Sequence, residues 1–443
     1  MDKKRVSIID YQRPYASVAE AVRRCGAESM LSCASSVFIK PNVVFWTRHT
    51  PFPKYGVITT SRVVEDMVVL LKDMGVKRIY IGEGGVTRRP GDTRTFAHAF
   101  EALGYLRLAK RYGVKVIQVL EEPFARCRLG KGISLNFNRQ ALESDLVISL
   151  PALKTHSQTV VSLGIKNLKG LIDMTSRKTC HNPDPEKDLH VHVAQLAKPF
   201  NQVFTLIDGI YSLERGPGFD GKMHRRNLLI GSTDPLAADK AGAVALGIEP
   251  SAVPYIVHAA EDQGRPLGLG DIDISGRPLD GRDWVHGHEF DFAEDGEKAL
   301  PLPMAAKGMK GLFYRKYDDT MCTYCSAING VVLSAVFKAW DGRGFDQVEV
   351  LTGKKMVPAR GMNTTILLGK CMSRVHKDNP DIRRMIRVKG CPPDLKDIAA
   401  AFERAGVPVD TKMFEAVDML PGTFLKRVKD RPGFDESFYE VRV

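Results

Sequence analysis

Short runs of β-forming residues alternate with amphipathic helical stretches over the first 275 or so residues, and this alternation limits the fold more than any other feature. V-S-I-I-D (6–10), S-V-F-I-K (36–40), R-I-Y-I-G (78–82), V-K-V-I-Q-V (114–119), D-L-V-I-S-L (145–150), Q-V-F-T-L-I-D (202–208) and N-L-L-I-G (227–231) read as strands. Between many of them lie helical patterns such as V-V-E-D-M-V-V-L-L-K-D-M-G at 63–75. Strands that alternate with helices predict an α/β fold with a mostly parallel, doubly wound sheet. Several strands end in polar or glycine-rich signatures: K-P-N at 40–42, G-E-G-G at 82–85 and D-G-I at 208–210. In open α/β sheets the ligand crevice lies beyond the carboxyl ends of the strands, so Lys40 and Asn42 fall where a cofactor is expected.

A polar, Gly/Pro-rich stretch near 265–310 interrupts the pattern and reads as a short strand followed by a linker. The expected organisation is therefore an α/β domain over 1–275, a linker over 276–310, a smaller α/β module over 311–408 and a C-terminal extension over 409–443.

The smaller module carries four cysteines in a telling arrangement: Cys322 and Cys325 in M-C-T-Y-C-S, Cys371 in L-L-G-K-C-M and Cys391 in V-K-G-C-P-P. Each sits where an element ends. Cys322 and Cys325 open an apolar helical stretch, Cys371 ends T-T-I-L-L, and Cys391 ends M-I-R-V-K, with Pro392 and Pro393 suited to the first turn of the next helix. Four thiolates arriving at one edge of a sheet can ligate one metal ion or one iron–sulfur cluster. Structural zinc usually has a second short-spaced pair. Here 45 residues separate Cys325 from Cys371 and 19 separate Cys371 from Cys391. The Cys-Pro ending resembles the last ligand of bacterial ferredoxin runs, which favours a [4Fe–4S] cluster. Structural zinc and four reduced cysteines packed as small hydrophobes stay open as alternatives. The other four cysteines (Cys25, Cys33, Cys127, Cys180) are scattered.

Composition bounds the setting. The N-terminus has basic residues but no apolar h-region, so it does not read as a signal peptide, and no run of about 18 apolar residues predicts a membrane span. Eight cysteines in 443 residues do not resemble a secreted disulfide scaffold, and a reducing cytoplasm is the expected home. The net charge of +12 favours an anionic partner. Basic residues are nevertheless spread along the whole chain with no basic–aromatic stripe, which argues against nucleic acid.

The densest polar segment is L-P-A-L-K-T-H-S-Q-T-V-V-S-L-G-I-K-N-L-K-G at 150–170, directly after a strand. Lys154, Lys166 and Lys169 can bind an anion together with a helix N-terminus, and His156 can act as acid, base or ligand. Asp208 ends a strand, and Asp234-Pro235 reads as an N-cap followed by a first-turn proline. Asp239, a turn later among apolar residues, needs a cation or several donors if it is buried; the lysines are the expected source. A basic helix start with a satisfied histidine is the structural alternative for Lys154, Lys166, Lys169 and His156. His181, His190 and His192 form a loose cluster that would share a face only on an extended segment. Neither a G-x-G-x-x-G nor a P-loop motif is present.

I-K-P-N (39–42), D-L-V-I-S-L-P-A-L-K-T-H (145–156), I-K-N-L-K-G (165–170), I-D-G-I (207–210), G-P-G (216–218) and G-S-T-D-P-L-A-A-D (231–239), in this order, resemble domain-of-unknown-function family 362 over roughly 35–275. Lys154, His156, Lys166, Asn167, Asp208, Asp234 and Asp239 match its most recognisable positions, so the resemblance implies a shared anion or cofactor crevice. It also implies an iron–sulfur module after the domain; this chain departs from the family in lacking a compact C-x-x-C-x-x-C-x-x-x-C-P run. The expected protein is an iron–sulfur protein that binds an anionic small molecule or cofactor and exchanges electrons with a partner protein. Lys154, His156 and Asp208 would be catalytic. Lys40, Asn42, Lys166, Asn167, Asp234 and Asp239 would bind the cofactor, and Cys322, Cys325, Cys371 and Cys391 the metal. The alternative is a non-redox enzyme on a phosphorylated or carboxylated substrate with structural zinc.

Overall fold

The computed structural model describes residues 3–86, 91–279, 285–288, 291–295 and 298–443. The chain divides into two compact units. One comprises Met1–Arg177, His190–His288 and Pro421–Val443; the other comprises Lys178–Leu189 and Glu289–Leu420. The fold is α/β, as the alternation of strand and helix patterns predicts.

The larger unit is built on one sheet whose main path runs Ile272–Gly276, Lys4–Asp10, Lys222–Ser232, Val203–Glu214, Leu146–Leu150, Ser36–Pro41, Arg78–Glu83, Lys115–Gln118. Lys222–Ser232 pairs antiparallel with both of its neighbours, and every other pairing along this path is parallel. Ser36–Pro41 and Leu146–Leu150 lie in the middle and are buried at every position. Burial on both faces is why they read as unbroken apolar runs rather than alternating ones. The chain moves outward from Ser36–Pro41 to Arg78–Glu83 and Lys115–Gln118. It then returns to Leu146–Leu150 on the other side and proceeds to Val203–Glu214. Strand order therefore reverses between Pro41 and Leu150. This is the topological switch point, where an α/β sheet opens a crevice beyond its carboxyl ends.

The helix Ser61–Asp73 illustrates how sequence sets packing here. Val63, Val64, Met67, Val68 and Leu71 form the stripe it buries. Its end is fixed by Gly75 at φ 83°, a left-handed conformation that costs glycine nothing. Two buried carboxylates on the same helix, Glu65 and Asp66, face the C-terminal segment: Arg442 donates to Glu65 from its backbone N and Nε (3.0 and 3.1 Å) and also reaches Asp66. Tyr439 and Val441 join the core of this unit.

The smaller unit has a four-stranded, all-parallel sheet in the order Leu312–Tyr314, Val348–Leu351, Thr364–Leu368, Met385–Val388. The helices Thr323–Ala339 and Leu395–Arg404 contribute Val332, Val336, Ile398 and Phe402 to its core. The expected linker over 276–310 falls partly outside the described residues. Within it, Phe292–Asp295 and Lys298–Pro301 form a two-stranded antiparallel pair that the sequence reading did not anticipate.

Candidate functional sites

In the larger unit Lys40 and Asn167 meet at the switch point in a sealed polar cluster, whereas Asp234 and Asp239 have separate partners. Lys40, the penultimate residue of its strand, is 1 % exposed. Its Nζ lies 2.9 Å from Glu83 Oε2 and donates to the Pro41 carbonyl (2.6 Å) and Asn167 Oδ1 (3.2 Å). Asn167 Nδ2 returns a hydrogen bond to the Lys40 carbonyl at 2.9 Å and also donates to Ser149 Oγ at 3.1 Å. Glu83 accepts further from the backbone N of Val43 (2.7 Å) and Gly84 (2.8 Å). Arg177 closes the floor, donating to the carbonyls of Gly170 (2.9 Å) and Ile172 (3.0 Å).

This geometry explains the glycines around it. A Cβ on Gly170 would stand 2.4 Å from Lys40 Cε and 2.5 Å from Glu83 Oε1, and one on Gly84 would stand 2.7 Å from an Arg177 nitrogen. The G-E-G-G signature is therefore a packing requirement: Gly84 admits Gly170 and Arg177 beside the buried Lys40–Glu83 pair, while Gly82 and Gly85 admit the rings of Phe38 and Phe96. Glu83 and Arg177 were not among the predicted site residues. A carboxylate between glycines at a strand end was the available signal for Glu83.

Lys154 is fully buried, and its Nζ donates to the carbonyls of Val57 (2.7 Å) and Pro217 (3.5 Å). Desolvation, with Lys40 adding to it and Glu83 opposing, pulls its pKa down to about 7. Asn42 Nδ2 donates to the same Val57 carbonyl at 2.8 Å. His156 is buried; its Nδ1 accepts from the Gln158 backbone N at 3.0 Å, which leaves the ring proton on Nε2. Asp208 accepts from the backbone N of Thr60 (2.7 Å) and Ile210 (3.0 Å), and burial pushes its carboxyl up. Lys166 and Lys169 are half-buried.

Asp239 departs from the expectation that lysines would satisfy it. Its carboxylate accepts from the backbone N of Gly164 (2.6 Å) and Ile165 (3.1 Å) and from the Tyr255 hydroxyl (2.8 Å). Two consecutive N–H groups at a helix start, together with one phenol, supply the donors, and burial raises the carboxyl to about 7 against them. Asp234 is the predicted N-cap: it accepts from Ala237 N at 2.7 Å, with Pro235 following, and Arg265 pairs with it at 2.9 Å.

In the smaller unit, residues after each of the four parallel strands line one pocket at the carboxyl edge of the sheet. Thr320, Cys322, Tyr324 and Cys325 follow the first strand; Gly353 and Lys354 follow the second. Gly369, Lys370 and Cys371 follow the third; Gly390, Cys391 and Pro392 follow the fourth. All four cysteines singled out in the sequence line the pocket, with no histidine or carboxylate. Cys322 is the N-cap position of the helix Thr323–Ala339, and Cys325 lies in its first turn. Cys371 lies on the short helix Lys370–Val375 rather than at the strand end. Gly369 and Gly390, at φ 91° and 128°, turn the chain out of the two strands just before Cys371 and Cys391. Pro392 and Pro393 do not enter the next helix, which begins at Leu395 behind the Asp394 cap.

The Cys325 thiol first, then backbone N–H groups of the helix start and Lys354, hold Cys322 toward thiolate, while Cys325 is pushed up by Cys322 and by burial. Among the described residues, no group of three or more His, Cys, Asp or Glu side chains is set to hold a single metal ion. The donor set nevertheless fits a cluster in kind. Four sulfurs from three loops ring one pocket, and Lys354 and Lys370 on the lining can offset thiolate charge.

The larger unit is thus a doubly wound α/β domain with buried charge at its switch point. Residues 37–244 match the family model described as Domain of unknown function (DUF362), within the span over which the sequence resembles that family. A thylakoid-associated protein of Synechocystis sp. is 26 % identical over 257 residues, covering 55 % of this chain and 71 % of the relative. Among solved structures, the lactate racemase apoprotein of Thermoanaerobacterium thermosaccharolyticum matches at 14 % identity and a TM-score of 0.29, covering 53 % of this chain and 55 % of that one. A Thermotoga maritima protein from a structural genomics programme matches at 15 % and 0.32, covering 58 % and 60 %. This chain therefore spans little more than half of either. Among the described residues no helix is long and apolar enough to cross a membrane.

Proposed function

We propose that the chain is an iron–sulfur protein of the reducing cytoplasm. In this reading Cys322, Cys325, Cys371 and Cys391 hold a [4Fe–4S] cluster that accepts or delivers one electron. The observation that carries the reading is the pocket lined by all four cysteines, which follow three of the four strands of the small sheet. Four cysteines fill all four corners of such a cluster, which favours electron transfer over Lewis-acid chemistry at an open iron. Among the described residues there is no tight single-ion arrangement, in keeping with a group of several atoms rather than one ion.

The switch-point cluster of the larger unit is the proposed seat of an anionic small molecule or cofactor. Lys154 supports this: among the described residues its ammonium contacts two carbonyls and no carboxylate, an incomplete solvation for a buried cation. An anion there would draw on Lys154, since Lys40 is already neutralised by Glu83. His156 and Asp208 would move protons.

Protein purified anaerobically should contain about four irons and four sulfides per chain, with broad visible absorbance that bleaches on reduction. Cys391→Ser should lower both contents by more than half. Colourless protein carrying one zinc per chain would overturn the cluster and leave a structural metal in its place.

A further inference from the structure

We propose that the surface around Cys371 and Cys391 docks an acidic one-electron carrier protein; this rests on the cluster reading above. Cys371 and Cys391 are the exposed pair of the four, whereas Cys322 and Cys325 are half-buried. Any group held in the pocket is therefore reached from solvent on the side of these two cysteines. That side is basic. Lys370 and Arg374 flank Cys371, and Lys389 precedes Gly390 and Cys391; all three are exposed. Lys354 lines the same pocket as Cys371, and Arg374 lies three residues after Cys371 on the helix Lys370–Val375.

Several bases elsewhere in the same unit are ion-paired. Lys338 pairs with Asp410, Arg343 with Asp341, Lys355 with Asp319 and Arg315 with Glu294. Among the described residues, Lys370, Arg374 and Lys389 have no ion-pair or hydrogen-bond partner at their side-chain nitrogens, so their charge is available. Of the carboxylates near them in sequence, Asp394 is committed to capping the helix Leu395–Arg404 through Lys396 N at 2.8 Å, while Asp378 and Asp381 are exposed. Val375, 53 % exposed next to Arg374, adds an apolar contact. A small apolar spot rimmed by unpaired cations above a redox group suits a transient, electrostatically steered encounter. Such interfaces are small, and charge sets their on-rate more than their affinity. One electron leaves the carrier, which is oxidised, and enters the cluster, which is reduced, or the reverse; no bond is made or broken.

The test uses the full chain, iron-loaded, with an acidic plant-type [2Fe–2S] ferredoxin as probe and the methyl viologen radical cation as a non-docking reductant. Stopped-flow reduction by the ferredoxin should slow at least 10-fold between low salt and 500 mM salt, because screening removes the steering. Arg374→Glu with Lys389→Glu should slow it about 10-fold at low salt and weaken calorimetric binding of the ferredoxin by a similar factor. Iron and sulfide content should stay unchanged, and the rate with the cationic viologen should not fall. An iron-loaded, viologen-reducible protein whose ferredoxin rate ignores salt and both substitutions would overturn the docking proposal and leave the cluster standing. The same result would follow if the substitutions abolished only oligonucleotide binding, which would assign the patch to nucleic acid. Absence of iron and sulfide would instead overturn the cluster, and the docking with it.

Discussion

Lys154 and Asp239 are two buried ionisable groups of opposite charge whose pKa values have moved toward each other, and the consequences have opposite signs. Lys154 is lowered from 10.5 to about 7 by desolvation, so between those values the unfolded chain binds the proton and the folded one does not. The stability it contributes is present above 10.5 and is lost as pH falls toward 7. Asp239 is raised from 3.8 to about 7, so the folded chain holds the extra proton and its contribution is present below 3.8 and lost as pH rises toward 7. Relative to Lys154→Met, the native protein should therefore gain stability from pH 7 to pH 9. Relative to Asp239→Asn, it should lose stability from pH 4 to pH 7. The limiting slope in each case is about 1.4 kcal/mol per pH unit. Urea unfolding of each pair across pH measures both, and a difference that stays flat with pH would refute the corresponding assignment.

At the scale of elements, Gly170 is the most sensitive joint between loop and sheet. Its missing side chain lets the turn after the helix Gly164–Asn167 press onto the Lys40–Glu83 pair. Gly170→Ala should destabilise the protein by about 2 kcal/mol through overpacking, with the pair displaced. Ala at Gly75, where nothing lies within 4 Å, would suffer only the cost of its φ of 83°. A chemical-denaturation midpoint unchanged by Gly170→Ala would show that the ion pair yields freely. The sheet itself was legible: each strand read from the sequence between 6 and 231 lies within or overlaps an observed strand, because apolar β-branched runs bounded by polar ends leave few alternatives. The cap at Asp234 was legible for the same local reason. The donors to Asp239 were not, because Gly164 N, Ile165 N and Tyr255 lie 75, 74 and 16 residues away and carry no signature of their own. Nor was the sealing of Lys154 by the Val57 carbonyl, 97 residues upstream, since a backbone acceptor leaves no mark in sequence. The cysteines were read correctly as residues near element ends. The exact ends were not, since glycines with positive φ, rather than the prolines, govern where the chain turns at Cys371 and Cys391.

At the scale of the molecule, the smaller unit has little to hold its loops. Its strands are three to five residues long, and the residues lining the pocket come from the loops that follow them. Ligation of Cys322 and Cys325, Cys371 and Cys391 by one cluster would tie three of those loops together. Because no such site exists in the unfolded chain, the binding free energy becomes folding free energy of this unit. The larger unit owes its stability to a separate core and should not respond. Hydrogen exchange resolves the two by segment. In iron-loaded native protein, amides of Leu312–Tyr314, Val348–Leu351, Thr364–Leu368 and Met385–Val388 should exchange at least 10-fold more slowly than in Cys391→Ser or in iron-depleted protein. Amides of Ser36–Pro41 and Leu146–Leu150 should exchange at the same rate in all three. Equal protection of the small sheet with and without iron would mean that its short strands and core suffice alone, and that any cluster is carried by the unit without supporting its fold.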